Sequence, residues 1–340
     1  MKTILVTGAN GFVGTHTLKN LMKVDDINLI AACRDKTKLI PSFKGEIREG
    51  DFRDANYLNS LLDGVDVVCN AMAWTALWRH KKQSRELYFE PVVKLIDKSI
   101  EKGIERFINV STTSVAAPQK STDTMSRGIP RKFWPHLCSV IKIENYMREK
   151  ANIDKSANAI ALINLRLGIF CGEHYGLGIL PILLPRLRTH LVPWVAGGKT
   201  SLPMIDGEDI GEAMKCAAMA ENITGYQSFN VVGAEVPSVR EVIDYVHDNF
   251  AYPKPHFSVP FFIAYRFAWL METLDPVVPW EPLVTRSIIH LLEEVAVDNT
   301  KAINMLGYKP RQDWRKSISK QIQEINQTQK TSMSMARPIV

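Results

Sequence analysis

Residues 7–14, TGANGFVG, hold three glycines whose spacing suits a phosphate chain. Thr3 to Thr7 reads as a short apolar strand, and Phe12, Val13, Leu18, Leu21 and Met22 begin a helical pattern, so Gly8, Gly11 and Gly14 fall around the turn between them. Gly8 allows a sharp bend, Gly11 lets backbone approach a pyrophosphate, and Gly14 lets helix and strand pack tightly. Asn10, Phe12 and Val13 complete the turn, and the amides that open the helix face the anion. Glycines at this spacing also serve ordinary tight packing. Set between a strand and a helix, they predict a dinucleotide site.

Three further stretches are expected to touch that ligand. A second strand, Asn28 to Cys33, ends at Arg34, where a basic side chain accommodates a ribose 2′-phosphate and an acidic one would accept ribose hydroxyls. Arg34 therefore predicts NADP over NAD, while Asp35 keeps NAD open and a solvated basic loop is the plainer alternative. After the short strand Glu46 to Glu49, Asp51 and Phe52 pair a carboxylate with an aromatic ring that could meet an adenine edge and face. After strand four, Val65 to Cys69, small residues including Ala71 and Ala73 stand at a strand's C-terminal end, where open α/β sheets place ligands.

Composition sets the frame. The 340 residues are 46% hydrophobic and 23% charged, enough for one large or two joined domains. A formal charge of +6 with no basic run interleaved with aromatics argues against nucleic acid and suits an anionic cofactor. Five scattered cysteines, without CxxC or histidine-pair spacing, read as reduced thiols of a cytoplasmic protein with no metal site. No signal-peptide pattern precedes the first strand. The most apolar window, Phe257 to Leu274, is interrupted by Pro260 and Arg266 and is read as a buried or half-buried helix in preference to one on a membrane surface.

Strands alternate with helices as far as Leu165: a helix from Ser84 to Glu101, a strand from Arg106 to Val110, a helix from Ser139 to Lys150 and a strand from Ala159. This alternation predicts an α/β fold, a Rossmann-type doubly wound parallel sheet, with a smaller, mostly helical C-terminal substrate cap. The expected divisions are a dinucleotide-binding domain over 1–170 with 203–233 returning to it, a cap over 171–202 and 234–322, and a loose polar tail over 323–340.

With TGANGFVG, Gly50-Asp51-Phe52, the run Ser111-Thr112-Thr113-Ser114, Lys142 with Glu144, Leu165-Arg166-Leu167-Gly168 and a later Leu306-Gly307-Tyr308-Lys309-Pro310, the chain resembles the extended short-chain dehydrogenase/reductases. That family includes nucleotide-sugar epimerases and dehydratases, 3β-hydroxysteroid dehydrogenase-like enzymes and carbonyl reductases. The resemblance implies a Ser or Thr after strand five that orients the substrate oxygen, a Tyr that transfers its proton, and a Lys four residues later that holds the nicotinamide ribose. On this chain the hydroxyl falls on Thr112, with Ser111 second, and the lysine on Lys142.

The tyrosine position holds Cys138, and the place of a familiar Asn on the preceding helix holds Tyr88. A Tyr146-x-x-x-Lys150 spacing also occurs but leaves too little chain before the Leu165 strand to serve. The proton carrier is thus left open between Cys138, a Tyr88 phenol brought over from the facing helix, and a relayed water.

Trp74, Trp78, Trp134, Trp194, Trp269 and Trp280 fall in loops or cap segments and suit a fairly apolar small molecule. The expected activity is interconversion of a hydroxyl and a ketone. One alternative is a nucleotide-sugar epimerase or dehydratase using Arg186, Arg188 and His190 on the diphosphate; another is a non-catalytic NADP-binding sensor or assembly protein. A homodimer is expected by analogy alone.

Overall fold

Seven parallel strands form the centre of the structure, a computed structural model that describes residues 1–116, 122–153, 159–278 and 282–335, with side chains to residue 328. In chain order the strands are β1 (Lys2–Thr7), β2 (Ile27–Cys33), β3 (Glu46–Glu49), β4 (Val67–Asn70), β5 (Arg106–Thr112), β6 (Ala161–Leu167) and β7 (Tyr226–Val231). Across the sheet they run β3-β2-β1-β4-β5-β6-β7. The order reverses direction between β1 and β4, the switch point at which doubly wound sheets bind ligands.

The main helices are α1 (Phe12–Leu21), α2 (Ala55–Leu61), α3 (Glu90–Glu101), α4 (Pro135–Ile153), α5 (Ile179–Leu187), α6 (Gly207–Met219), α7 (Val239–Phe250), α8 (Phe261–Leu274) and α9 (Trp314–Met335). Alternate strand residues divide between two cores, as parallel strands covered on both faces require. Ile4, Val6 and Cys69 pack under α1 and α6, while Leu5, Val68 and Phe107 pack under α2, α3 and α4. Residues 171–202 and 234–325 contribute a third core from α5, α7 and α9, around Leu180, Val242, Val246 and Ile318.

Two expectations are corrected, and a third is narrowed. Residues 323–335 are helical where a loose tail was expected: α9 runs to Met335, because Trp314, Ile318, Ile322 and Ile325 recur at helical spacing and close the third core; residues 336–340 lie outside the described ones. Residues 234–322 do not all belong to the cap, since Ala302, Leu306 and Tyr308 join the sheet's core and the Tyr308 hydroxyl donates to the Val232 carbonyl at 2.9 Å. Helix α8 is half-buried, the second of the two forms expected of it, with Phe262 at 66% and Trp269 at 49% exposure on its outer side. Its inward side is Ala264, Ala268 and Glu272, small residues and an acid that bonds Arg286.

One polar row crosses the apolar sheet. Thr7, Asn70, Asn109, Asn164 and Ser228 are register partners on five adjacent strands. Thr7 Oγ1 donates to Asn70 Oδ1 at 2.7 Å, Asn70 Nδ2 to Asn109 Oδ1 at 3.0 Å, and Asn109 Nδ2 to Asn164 Oδ1 at 3.1 Å. Asn164 Nδ2 donates to Ser228 Oγ at 3.3 Å and to Glu144 Oε1 on α4 at 2.7 Å. Glu144 also accepts from Ser111 Oγ at 2.5 Å and pairs with Arg166, whose Nη2 lies 2.7 Å from Oε2. Glu144 and Arg166 are both 1% exposed.

Removing one partner of such a pair strands a buried charge. Glu144→Gln is expected to lower unfolding free energy by about 3 to 5 kcal/mol, read from the urea midpoint at constant slope.

Candidate functional site

The glycine turn joins β1 to α1 at the C-terminal edge of the sheet. Gly8 has φ +59°, a left-handed conformation, and a Cβ there would stand 2.8 Å from the Ala71 carbonyl oxygen. A Cβ on Gly14 would overlap the Gly8 carbonyl. Gly11 caps α1 with no side-chain bond, and the helix has no acid in its first turn. By contrast α2, α6 and α7 open on Asp54, Asp206 and Ser238, whose side chains accept from the first amides. The amides of Phe12, Val13 and Gly14 thus open onto a cradle without a side-chain acceptor, as a pyrophosphate requires.

Asn10 ties this turn to the end of β2, its Nδ2 donating to the Asp35 carbonyl at 3.1 Å. Asp35 spends its own carboxylate locally, accepting from the Thr37 amide at 3.0 Å and pairing with Lys38 at 3.1 Å. Arg34 is exposed and makes no ion pair among the described residues. At the adenine end, Asp51 is half-buried and bonded to Arg53, which holds its carboxyl down at about 2. The Phe52 ring is not offered to a ligand: it is 6% exposed and packs edge-on to Tyr57 in the core. Past the end of β4, Ala71 is half-buried against the glycine turn, and Ala73, two residues on, is exposed.

The four residues expected to do chemistry are not brought together. Thr112 is at the end of β5, half-buried, with Oγ1 accepting from the Ser114 amide at 3.2 Å and its own proton free. Ser111 has turned its hydroxyl onto Glu144, which leaves Thr112 as the hydroxyl open to a substrate. Lys142 is exposed, its Nζ 5.8 Å from the centre of the Phe89 ring. The reason is helical phase: Glu144 points at the sheet, and two residues at about 100° each turn Lys142 to the opposite side.

Cys138, one turn before Lys142, shares that outward side. Its thiol donates to the Arg131 carbonyl at 2.9 Å, and burial pushes it up although Lys142 opposes the shift. Tyr88 is 2% exposed and raised well above its ordinary range by burial, with Glu144 adding to the effect, and no hydrogen bond joins it to Lys142. It lies in a wide-wound turn, Arg85–Phe89, that interrupts the helical run into α3 and sets its ring inward.

On the line of α4 that carries the buried Val140 and Glu144, one turn apart, the half-buried His136 lies one further turn back. His136 was missed by sequence reasoning. Its ring stacks obliquely on Tyr88 at 5.4 Å, and its Nδ1 is buried without a hydrogen-bond partner among the described residues. Burial lowers its pKa to about 4, so the ring is neutral near pH 7. A spacing of eight residues, two helical turns, back from Glu144 was the available signal.

The remaining cap candidates are dispersed. Trp134 is buried against His290, which reaches the Ser114 carbonyl at 3.3 Å and so ties the cap to the end of β5. Trp280 lies outside the described residues. Arg188 is occupied by Tyr252 and His190 by His256. Arg186 is half-buried, has no side-chain partner among the described residues, and is lowered by burial.

A single α/β Rossmann-type domain with an open phosphate cradle and a helical C-terminal region defines the class. The model of the NAD dependent epimerase/dehydratase family matches residues 4–232, and the chain belongs to that family. It is 24% identical over 314 residues to an uncharacterized protein, y4nG, of Sinorhizobium fredii, covering 92% of this chain and 75% of the relative. It is 24% identical over 275 residues to a UDP-glucose 4-epimerase of Erwinia amylovora, covering 71% and 81%. A solved UDP-glucuronic acid 4-epimerase from Bacillus cereus, in complex with NAD, shares the fold with a TM-score of 0.70 and 16% identity over 96% of this chain and 99% of the other.

Gly8→Ala places a methyl against Ala71 and forces a left-handed backbone on alanine. It is expected to cost about 1 to 3 kcal/mol of stability and to weaken dinucleotide affinity by tenfold or so, checked by thermal melting with and without NADPH.

Proposed function

We propose that this chain is an NAD(P)-dependent oxidoreductase that interconverts a hydroxyl and a ketone on a fairly apolar substrate. The observation that carries the reading is the phosphate cradle at α1, with three free amides and room that a Cβ at Gly8 or Gly14 would remove. The residues present fit the dinucleotide: the α1 amides hold the pyrophosphate, Ala71 and Ala73 leave space beside it, and Arg34 meets a 2′-phosphate. NADP is favoured over NAD because Asp35, the acid that would accept ribose hydroxyls, is already bonded to Thr37 and Lys38. When bound, the nicotinamide supplies or takes up the hydride.

The chain's own groups handle the proton. Thr112 donates a hydrogen bond that orients the substrate oxygen. His136, a neutral imidazole whose buried Nδ1 has no partner, takes the proton of a substrate hydroxyl once substrate binding opens that nitrogen, and Tyr88 holds the imidazole from its flank. Lys142 and Cys138 have no part in this assignment, because their side of α4 faces away from the sheet. A second reading, a nucleotide-sugar epimerase, is favoured by Arg186: a half-buried guanidinium without a partner suits a diphosphate.

The test is turnover of NADPH with aryl and steroid ketones against UDP-glucose and its 4-epimer. Net NADPH consumption with the ketones supports the main reading; UDP-sugar interconversion without net consumption supports the second. Turnover of neither class, with NADPH bound, leaves a binding protein. His136→Gln is expected to lower kcat by about 10² to 10⁴ while NADPH affinity holds. Because His136 acts unprotonated and its pKa lies at about 4, alcohol oxidation is expected to fall only as pH drops toward that value. Arg34→Ala is expected to weaken NADPH about ten- to a hundredfold and leave NADH unchanged.

A further inference from the structure

Helix α8 is amphipathic in the reverse of the usual sense. Ala264, Ala268 and Glu272, four residues apart, face the protein, where the alanines pack against Ile289. The opposite side carries Phe262, Ile263, Phe267, Trp269, Leu270 and Leu274, all between 40% and 66% exposed. At about 100° per residue these six side chains span close to half the helix circumference. A soluble surface rarely leaves so continuous an apolar face bare.

Among the described residues, the unpaired charges noted on or near this face are cations. Both acids of the α8 segment are turned inward and bonded: Glu272 accepts from Arg286 at 2.6 Å, and Asp275 pairs with Arg79 and accepts from Trp78 Nε1 at 3.2 Å. The one charged side chain on the apolar face is Arg266, which is exposed. Lys132, beside Phe133 whose ring meets Tyr265 of α8, and Lys81, two residues beyond Arg79, are also exposed. None of Arg266, Lys132 and Lys81 makes an ion pair among the described residues. An apolar stripe carrying an unpaired arginine, with exposed lysines on the neighbouring segments, matches a layer of acyl chains beneath anionic headgroups.

We propose that α8 docks this protein on an anionic lipid membrane surface, lying in the interface with Phe262, Phe267 and Trp269 immersed and Arg266 at the headgroups. At 14 residues α8 is about 21 Å long, short of a hydrocarbon core of about 30 Å, and no helix among the described residues is long and apolar enough to cross. The docked face adjoins the ligand end of the sheet, because Trp78 and Arg79 hold Asp275, Ser287 donates to the Leu77 carbonyl, and this loop follows Ala71 and Ala73 past β4. A lipophilic substrate would then be taken from the surface itself. That last clause rests on the proposed activity; the docking does not.

The test is co-sedimentation of the full chain with vesicles of phosphatidylcholine alone and of phosphatidylcholine mixed equally with phosphatidylserine. Partition is expected onto the mixed vesicles and to be weaker, by tenfold or so, on the neutral ones. A Phe262→Ser, Phe267→Ser, Trp269→Ser variant is expected to lose binding to both, with NADPH affinity and melting temperature as in the parent chain. Arg266→Glu is expected to lose the preference for phosphatidylserine. The proposal is overturned if the parent chain stays in the supernatant with both vesicles. Equal partition of the triple variant overturns it too, as does a dimer in sedimentation equilibrium that the triple variant breaks and vesicles fail to compete, since a second copy then covers the face.

Discussion

A row of side-chain hydrogen bonds runs through the sheet at the level where β1 and β4 end, from Thr7 through Asn70, Asn109 and Asn164 to Ser228. Buried amides must be paired, and each asparagine here has its partner one strand away. A slip of one residue in any strand would carry its polar side chain to the opposite face and leave its neighbours unpaired. The row therefore fixes the mutual register of β1, β4, β5, β6 and β7. Gly8 follows Thr7 and Ala71 follows Asn70, so the same register brings the glycine turn against the residues past β4.

The row continues onto α4 through Glu144, and that contact decides the chemistry available at the site. Ser111, Asn164 and Arg166 all donate to one buried carboxylate, which leaves α4 a single rotational setting. In that setting His136 and Val140 face the strand ends, and Cys138 and Lys142 face outward. A lysine next to the nicotinamide ribose and a glutamate on Arg166 are alternatives for this helix, since residues two apart cannot share a side. The ion pair, with both side chains only 1% exposed, is the stronger constraint.

The sheet was legible in the sequence because its strands are short apolar runs separated by helical patterns and glycines. The boundaries of β3 and α1 and the cradle at Gly8 follow from those local signals. The phase of α4 was not, because Lys142 and Glu144 read as a spacing without showing which of them meets the sheet; that depends on Arg166, a partner from another strand. Helix α9 was hidden by the polar residues between Ile318, Ile322 and Ile325. The orientation of α8 was not legible because hydrophobicity alone says how apolar a helix is, whereas the Glu272–Arg286 pair says which way it turns. Phe52 illustrates the same limit: an aromatic beside Asp51 looks available until Tyr57 closes over it.

The central claim is that amides opening α1 hold the phosphates of a nicotinamide dinucleotide. Titration calorimetry of the folded chain with NADPH and with NADH tests it most directly. Saturable binding at a single site per chain, tighter for NADPH, is the result the structure predicts. Absence of binding heat and of competition with either dinucleotide, at protein concentrations where the chain is folded, would contradict it.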